Sequence, residues 1–240
     1  MYTAAAGMAA QQDRIDAVAG DLSNVNTTGY KQSRLAFRDL VYSNGANGNP
    51  NARIGAGAAA TSIGRTSAQG ALHDTGEPLD VALQGPGYIA VRTADGKPAL
   101  TRDGQLRLDD RGRITTSTGE LLEPPISVPP GTQPQDISIA ADGSVSAAGR
   151  RVGAIRIVTV AAPSALAGGE NNLFLPTAAS GAVTAAPRTT RLAQGSLEAS
   201  NVDLADAMTT MIEAQRGFEL ASKAIEVSDQ MLQIANQVKR

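Results

Sequence analysis

Cysteine and tryptophan are absent from this chain of 240 residues, and histidine occurs once, at His73. Without cysteine there is no disulfide, no thiolate nucleophile and no zinc site of the usual thiolate kind. With one histidine, any Ser-His-Asp or Cys-His chemistry would rest on His73 alone. Its neighbours Leu72, Asp74 and Thr75 form no nucleophile motif, so a surface or turn histidine is the reading. Aromatic residues are few: Tyr2, Tyr30, Phe37, Tyr42, Tyr88, Phe174 and Phe218. The core must therefore be built from Val, Ile, Leu and Ala, and contacts between subunits are expected to supply further burial. No run approaches the roughly 18 apolar residues of a membrane span. The N-terminus also lacks the basic segment followed by an apolar stretch that marks a cleaved signal. Net charge is −2 with Lys and Arg scattered, which leaves no basic stripe for nucleic acid.

What is present is concentrated at the two ends. Ala4, Met8, Gln11, Ile15, Val18, Leu22 and Val25 step alternately by four and three, an a/d seam in which only Gln11 is polar. Leu204, Met211, Phe218, Ile225 and Leu232 recur every seven residues, with Ala207, Ala214, Ala221, Ser228 and Ala235 at the second seam position. Alternation of large and small residues allows close backbone approach, and a strict heptad favours a left-handed supercoil. A helical hairpin covering one face of a monomer is the plainer reading of the same pattern. The first helix is expected to run to about residue 28, closed by Gly29 in the left-handed conformation.

Between the ends the signals are those of β structure. Tyr30–Tyr42 mixes polar and apolar residues, Ser43–Asn51 reads as a flexible loop, and Ile54–Gln69 as an extended, glycine-bearing strand. Leu79–Leu83 and Tyr88–Val91, separated by Gln84-Gly85-Pro86-Gly87, predict a hairpin. Turns are expected at Asp95-Gly96, Asp103-Gly104, Arg111-Gly112, Thr118-Gly119 and Asp142-Gly143, and a strand at Arg156–Val160. Short strands at this spacing imply an antiparallel barrel-like or sandwich domain.

Catalytic readings are weak. Gly85-Pro86-Gly87 precedes a strand and has no following lysine, so it is a turn and not a phosphate loop. Asp103, Asp109 and Asp110 lack EF-hand spacing and a distal glutamate, which makes them solvated turn carboxylates. Glu77, Asp80 and Glu120 carry no sign of facing one another across a sugar. No catalytic, cofactor-binding or metal residue is assigned.

Three motifs nevertheless carry a resemblance. Ser23-Asn24-Val25-Asn26-Thr27-Thr28-Gly29-Tyr30-Lys31, after a helix with Gly7-Met8 and Gln11-Gln12, resembles the N-terminal signature of bacterial flagellar rod and hook axial proteins. Leu197-Glu198-Ala199-Ser200-Asn201-Val202-Asp203-Leu204 and Met211-Ile212-Glu213-Ala214-Gln215-Arg216-Gly217-Phe218 are similar to the family's C-terminal signature. Thr75–Leu83, Gly85–Tyr88 and Leu100-Thr101-Arg102-Asp103-Gly104 resemble its β-domain motifs.

The resemblance implies an α+β fold: paired N- and C-terminal coiled-coil-like helices (1–30 and 196–240) forming one inner domain, an extended segment over 31–69, and a central antiparallel β-domain over 70–195. It implies a non-catalytic subunit without cofactors that polymerises helically into a hollow drive shaft. The length and the Met211–Arg216 motif fit the distal rod type, with the proximal rod paralogue as the alternative. A secreted β-rich binding module is the competing class. Implied partners are further copies, other rod and hook axial proteins, the flagellar type III export apparatus and, as further candidates, surrounding ring proteins, with no nucleic acid and no membrane span. The implied location is the flagellar basal body in the cell envelope, reached without a cleaved signal. Assembly contacts are expected at Met8, Ile15, Leu22, Asn24, Asn26, Met211, Gln215, Phe218, Ile225 and Leu232. Gly217 and Gly20 depart from the family pattern, and each glycine inside a helix costs about 1 kcal/mol.

Overall fold

A computed structural model describes residues 2–40, 43–44, 53–54 and 57–238. The chain forms two compact units, one from 1–23, 33–63 and 203–240, the other from 24–32 and 64–202. The fold is α+β, with a helix at each end and antiparallel strands between them.

The first unit is built on α1 (Tyr2–Ser23) and α2 (Leu204–Val238). Asp203 starts α2: its Oδ1 accepts the N–H groups of Ala205 and Asp206 at 2.8 and 3.1 Å, as an N-cap must. α1 stops at Ser23, short of the expected residue 28. Side chains there offer the backbone other partners: Ser23 Oγ donates to the Gly20 carbonyl at 2.8 Å, and Thr27 Oγ1 to Asn24 Oδ1 at 3.0 Å. Val25, assigned to the seam by its spacing, therefore lies outside the helix.

The two helices pack on each other. Arg14 reaches Glu213 at 3.3 Å, and Gln11 lies against Gly217, so lower numbers on α1 meet higher numbers on α2 and the pair is antiparallel. A second stripe of α1 meets a strand pair formed by Ser33–Asp39 and Ala58–Arg65. A Cβ on Gly57 would stand 2.7 Å from the Ala6 methyl, Asp21 Oδ1 accepts the Ser33 N–H at 3.0 Å, and the Arg14 guanidinium lies 6.0 Å from the Phe37 ring centre. Part of the expected Ser43–Asn51 loop is a strand, because Ser43–Asn44 pairs antiparallel with Arg53–Ile54. The rest of that loop, and Tyr42, lie outside the described residues.

The second unit is β-rich. Among the described residues its main sheet has nine strands, all paired antiparallel, with Tyr88–Arg92 at its centre against Pro98–Thr101, Leu121–Leu122 and Ile157–Thr159. That strand is buried on both faces. Ile89 and Val91 enter the larger core with Val81, Leu83, Ile114 and Val145, while Tyr88 and Ala90 enter a second core with Leu100, Val158 and Phe174. Among the described residues, the aromatic share of these cores is one tilted pair, Tyr88 and Phe174, with ring centres 5.2 Å apart. A three-stranded meander (Ile137–Ile139, Ser144–Ala147, Arg150–Ala154) closes the larger core.

Two local expectations are corrected here. Val81–Gln84 and Tyr88–Arg92 are not a hairpin: Val81–Gln84 pairs with Arg191–Gln194, and the chain crosses to another sheet at Gly85-Pro86-Gly87. Thr190 Oγ1 pins the crossing by donating to the Pro86 carbonyl at 2.7 Å. Asp103-Gly104 is not a hairpin turn either, since the flanking strands Pro98–Thr101 and Leu106–Leu108 are not neighbours in the sheet. Gly104 is buried where the Val81 N–H bonds its carbonyl at 3.0 Å, and a Cβ there would overlap the Val81 carbonyl. The turns at Gly96, Gly112, Gly119 and Gly143 do take positive φ.

Candidate assembly site

Within the helical unit, burial falls on small residues. Ala10, Ala207 and Ala214 are 3 %, 3 % and 0 % exposed, so the helices approach closely where no large side chain intervenes. Met8, Ile15 and Leu22 on α1, with Met211, Phe218 and Ile225 on α2, are only half-buried. Gln215 and Leu232 are exposed. In the subunit the large seam residues therefore keep apolar surface in reserve.

The antiparallel register sets Tyr2 near the level of residues 225–227 of α2. At 1.5 Å per residue, the last dozen residues of α2 run on for about 18 Å beyond that level. This stretch and the two turns before it carry a second apolar stripe, with Leu220 69 %, Val227 49 %, Met231 63 % and Ile234 59 % exposed. Leu220, Val227 and Ile234 are spaced by seven, so they share one side of the helix.

The segment 24–32 belongs to the β-rich unit. Asn24 closes its turn by accepting the Thr27 N–H at 3.1 Å and the Thr27 hydroxyl. Asn26 is exposed and lines a hollow of about 310 Å³ with Val25, Thr28, His73 and Leu197. Gly29 takes φ +66°, and a Cβ there would lie 2.5 Å from the Arg102 carbonyl carbon.

Behind this turn lies a buried ionic cluster to which the sequence assigned no role. Glu198 gives Oε1 to Lys31 Nζ and Oε2 to Arg102 Nη1, the latter at 2.6 Å. Lys31 also donates to the Ala68 carbonyl at 2.7 Å, and Arg102 to the Gly85 carbonyl at 2.8 Å, with its guanidinium 5.6 Å from the Tyr88 ring centre. Burial pulls the Lys31 ammonium below its ordinary 10.5; Glu198, as hydrogen-bond and charge partner, opposes this, and Arg102 adds to it. Burial likewise pushes the Tyr88 phenol above 10.0. The available signal was that Lys31, Arg102 and Glu198 each sit in one of the three motifs singled out in the sequence.

The other polar candidates are dispersed. His73 lies exposed on the Leu72–Asp74 strand, opposite Leu197. Asp109 accepts the Arg111 and Arg113 N–H groups at 2.9 and 2.7 Å and holds the Arg113 guanidinium, a turn arrangement. Asp103 instead takes the Thr28 and Ser117 hydroxyls. Asp80 is buried and accepts from Thr75 at 2.7 Å, Glu77 is exposed, and Glu120 is buried among Thr116, Thr118 and Asn171. Glu77, Asp80 and Glu120 form no carboxylate pair through these contacts.

A helix pair with an exposed apolar face, joined in sequence to a β-rich unit, is the make-up of a structural subunit. Comparison with known proteins agrees. Residues 1–31 match the family profile described as flagella basal body rod protein, 82–147 that of the flagellar hook protein FlgE/F/G D1 domain, and 193–238 that of the flagellar basal body rod FlgEFG protein C-terminal. Flagellar basal-body rod protein FlgG of Caulobacter vibrioides is 37 % identical, aligning with 100 % of this chain and 98 % of its own. FlgG of Bacillus subtilis is 36 % identical with the same coverage, and flagellar basal-body rod protein FlgF of Escherichia coli is 32 % identical over 99 % of this chain and 97 % of its own. The chain belongs to the flagellar basal-body rod proteins and is a structural subunit of the rod.

Proposed function

We propose that this subunit builds the distal part of the rod, polymerising helically into a hollow shaft that transmits torque and lets later subunits pass through its lumen. The observation that carries this reading is the apolar stripe of Leu220, Val227, Met231 and Ile234 on α2. A heterologous contact of such a face with another patch of a second copy, repeated by a rotation that does not close, gives an open filament. Each large side chain so buried contributes roughly 1.5 to 3 kcal/mol. The half-buried Met8, Ile15, Leu22, Met211, Phe218 and Ile225 complete their burial in the same polymer as a coiled-coil-like seam. Exposed Gln215, Leu232 and Asn26 contact neighbouring copies, and Asn24 shapes the turn beside them. The higher identity to the FlgG relatives, 37 % and 36 % against 32 % for FlgF, supports the distal position over the proximal one.

In this reading the role is mechanical and non-catalytic. The subunit passes through the flagellar type III export channel with its ends unfolded, needs no cleaved signal, and has its terminal helices fixed in place on addition to the rod. Its partners are other axial proteins, with ring proteins around the finished shaft in the cell envelope. The test is a strain whose only copy carries Leu220→Asp and Met231→Asp. Export and the helical circular dichroism of the purified chain are expected to stay normal, with rods truncated after their proximal section and no swimming. Complete rods and normal swimming would overturn the reading.

A further inference from the structure

Four separate stretches of the β-rich unit meet at the Glu198 carboxylate, which is 1 % exposed. Lys31 arrives from the stretch that follows α1, Gly70 donates its N–H to Oε1 at 2.9 Å, Arg102 comes from the loop after the Pro98–Thr101 strand, and Glu198 itself stands shortly before α2. Backbone bonds draw the same stretches together. The Gly29 N–H donates to the Glu198 carbonyl at 2.7 Å and the Asn201 N–H to the Tyr30 carbonyl at 3.3 Å. Asn201 Oδ1 accepts the Gln32 N–H at 2.8 Å, and its Nδ2 donates to the Ala68 carbonyl at 2.9 Å.

This is a poor way to gain stability. Two buried cations share one carboxylate, which leaves an excess positive charge away from water, and well-packed apolar residues in such places are often as stable or more so. An ionic cluster of this kind does fix geometry, because each oxygen and each donor has one place to go. Through Glu198 the cluster ties the stretch leaving α1 to the stretch leading to α2, and through Arg102 it ties both to the loop after the Pro98–Thr101 strand.

We propose that Glu198 is a positioning residue for rod assembly: through Lys31 and Arg102 it fixes the 29–32 and 198–201 stretches side by side, so that every subunit presents both helix roots in one register. This rests on the rod reading above. It assigns Lys31 the part of locking the N-terminal stretch onto a Glu198–Arg102 pair already seated in the β unit.

The test is amide hydrogen exchange on the full chain, followed by swimming and rod microscopy of the same variants. Lys31→Met leaves a charge-balanced Glu198–Arg102 pair and removes only the N-terminal lock, whereas Glu198→Gln leaves two cations unpaired. For Lys31→Met, exchange at Gly29 and Gln32 should rise by at least about tenfold while Val91, Ile114 and Val145 in the core stay unchanged. Rods should be few and irregular although export is normal, and Glu198→Gln should show the same local loss, larger. Three results would overturn the proposal: unchanged protection at Gly29 and Gln32, including its absence in the unsubstituted chain; a parallel loss at the core amides, which marks an ordinary stability role; or lost local protection with normal rods. The exchange experiment reads the cluster itself, so it stands or fails apart from Leu220→Asp and Met231→Asp, which test the rod reading.

Discussion

Gln11 of α1 lies directly over Gly217 of α2: a Cβ on Gly217 would meet the Gln11 amide carbon at 3.1 Å and its Nε2 at 3.2 Å. The one polar residue of the first seam thus faces the glycine that precedes Phe218 on α2, and two departures from the expected pattern explain each other. Among the described residues, none gives the buried Gln11 Oε1 a hydrogen bond.

Gly217→Ala brings a helix-propensity gain of about 1 kcal/mol. In the native background the gain is offset, because Gln11 must shift by a few tenths of an ångström. Thermal unfolding followed by helical circular dichroism should therefore show little change for Gly217→Ala alone. In a Gln11→Ala background the same substitution should stabilise by about 1 kcal/mol. Equal effects in both backgrounds would mean that the contact carries no coupling.

Gly104 and Gly96 should respond in opposite order to what an Asp-Gly turn suggests. At Gly96 nothing stands within 4 Å of a new Cβ, so alanine costs only the strain of φ +77°, about 1 to 2 kcal/mol. At Gly104 the new Cβ would collide with the Val81 carbonyl, and the Val81–Gln84 strand must move. Denaturant titration should show Gly104→Ala as the more damaging of the two, by at least about 2 kcal/mol.

Acid should weaken the β-rich unit partly through Glu120. Burial raises its pKa, but the hydrogen bonds from Thr116, Thr118 and Asn171 together outweigh this and hold it below its ordinary 4.5. A carboxylate with a depressed folded value contributes stability above the unfolded value and loses it as pH falls through the folded one. Unfolding midpoints should thus drop as pH is lowered from 4.5. Glu120→Gln should flatten that part of the profile while lowering the plateau above it, and a profile of unchanged steepness would count against Glu120.

What was legible in the sequence was what repeats locally. The Leu204–Leu232 heptads marked α2, the Asp-Gly and Thr-Gly pairs marked turns that take positive φ at Gly96, Gly119 and Gly143, and Arg156–Val160 contains the Ile157–Thr159 strand. What was not legible depends on distant partners. Leu83 faces Leu192, more than a hundred residues away, so its neighbourhood looked like half of a hairpin with Tyr88–Val91. Asn24 and Thr27 ended α1 early through side-chain bonds that seam spacing does not weigh. The ionic cluster escaped because a buried lysine and a surface lysine read alike until Glu198 and Arg102 stand beside Lys31.

Every passage of the chain into or out of the β-rich unit lies near one spot. The Thr66 N–H donates to the Gln32 carbonyl at 2.9 Å, which closes the excursion over 33–63, and Asn201 bonds both Gln32 and Ala68. The unit is thus a cassette whose connecting ends meet, and its exposed turns, such as Asp95-Gly96, can be lengthened or exchanged without changing the separation of those ends. In the shaft proposed above, the β-rich unit can be refitted by inserting or replacing sequence there, while the spacing of the chain passages stays as it was.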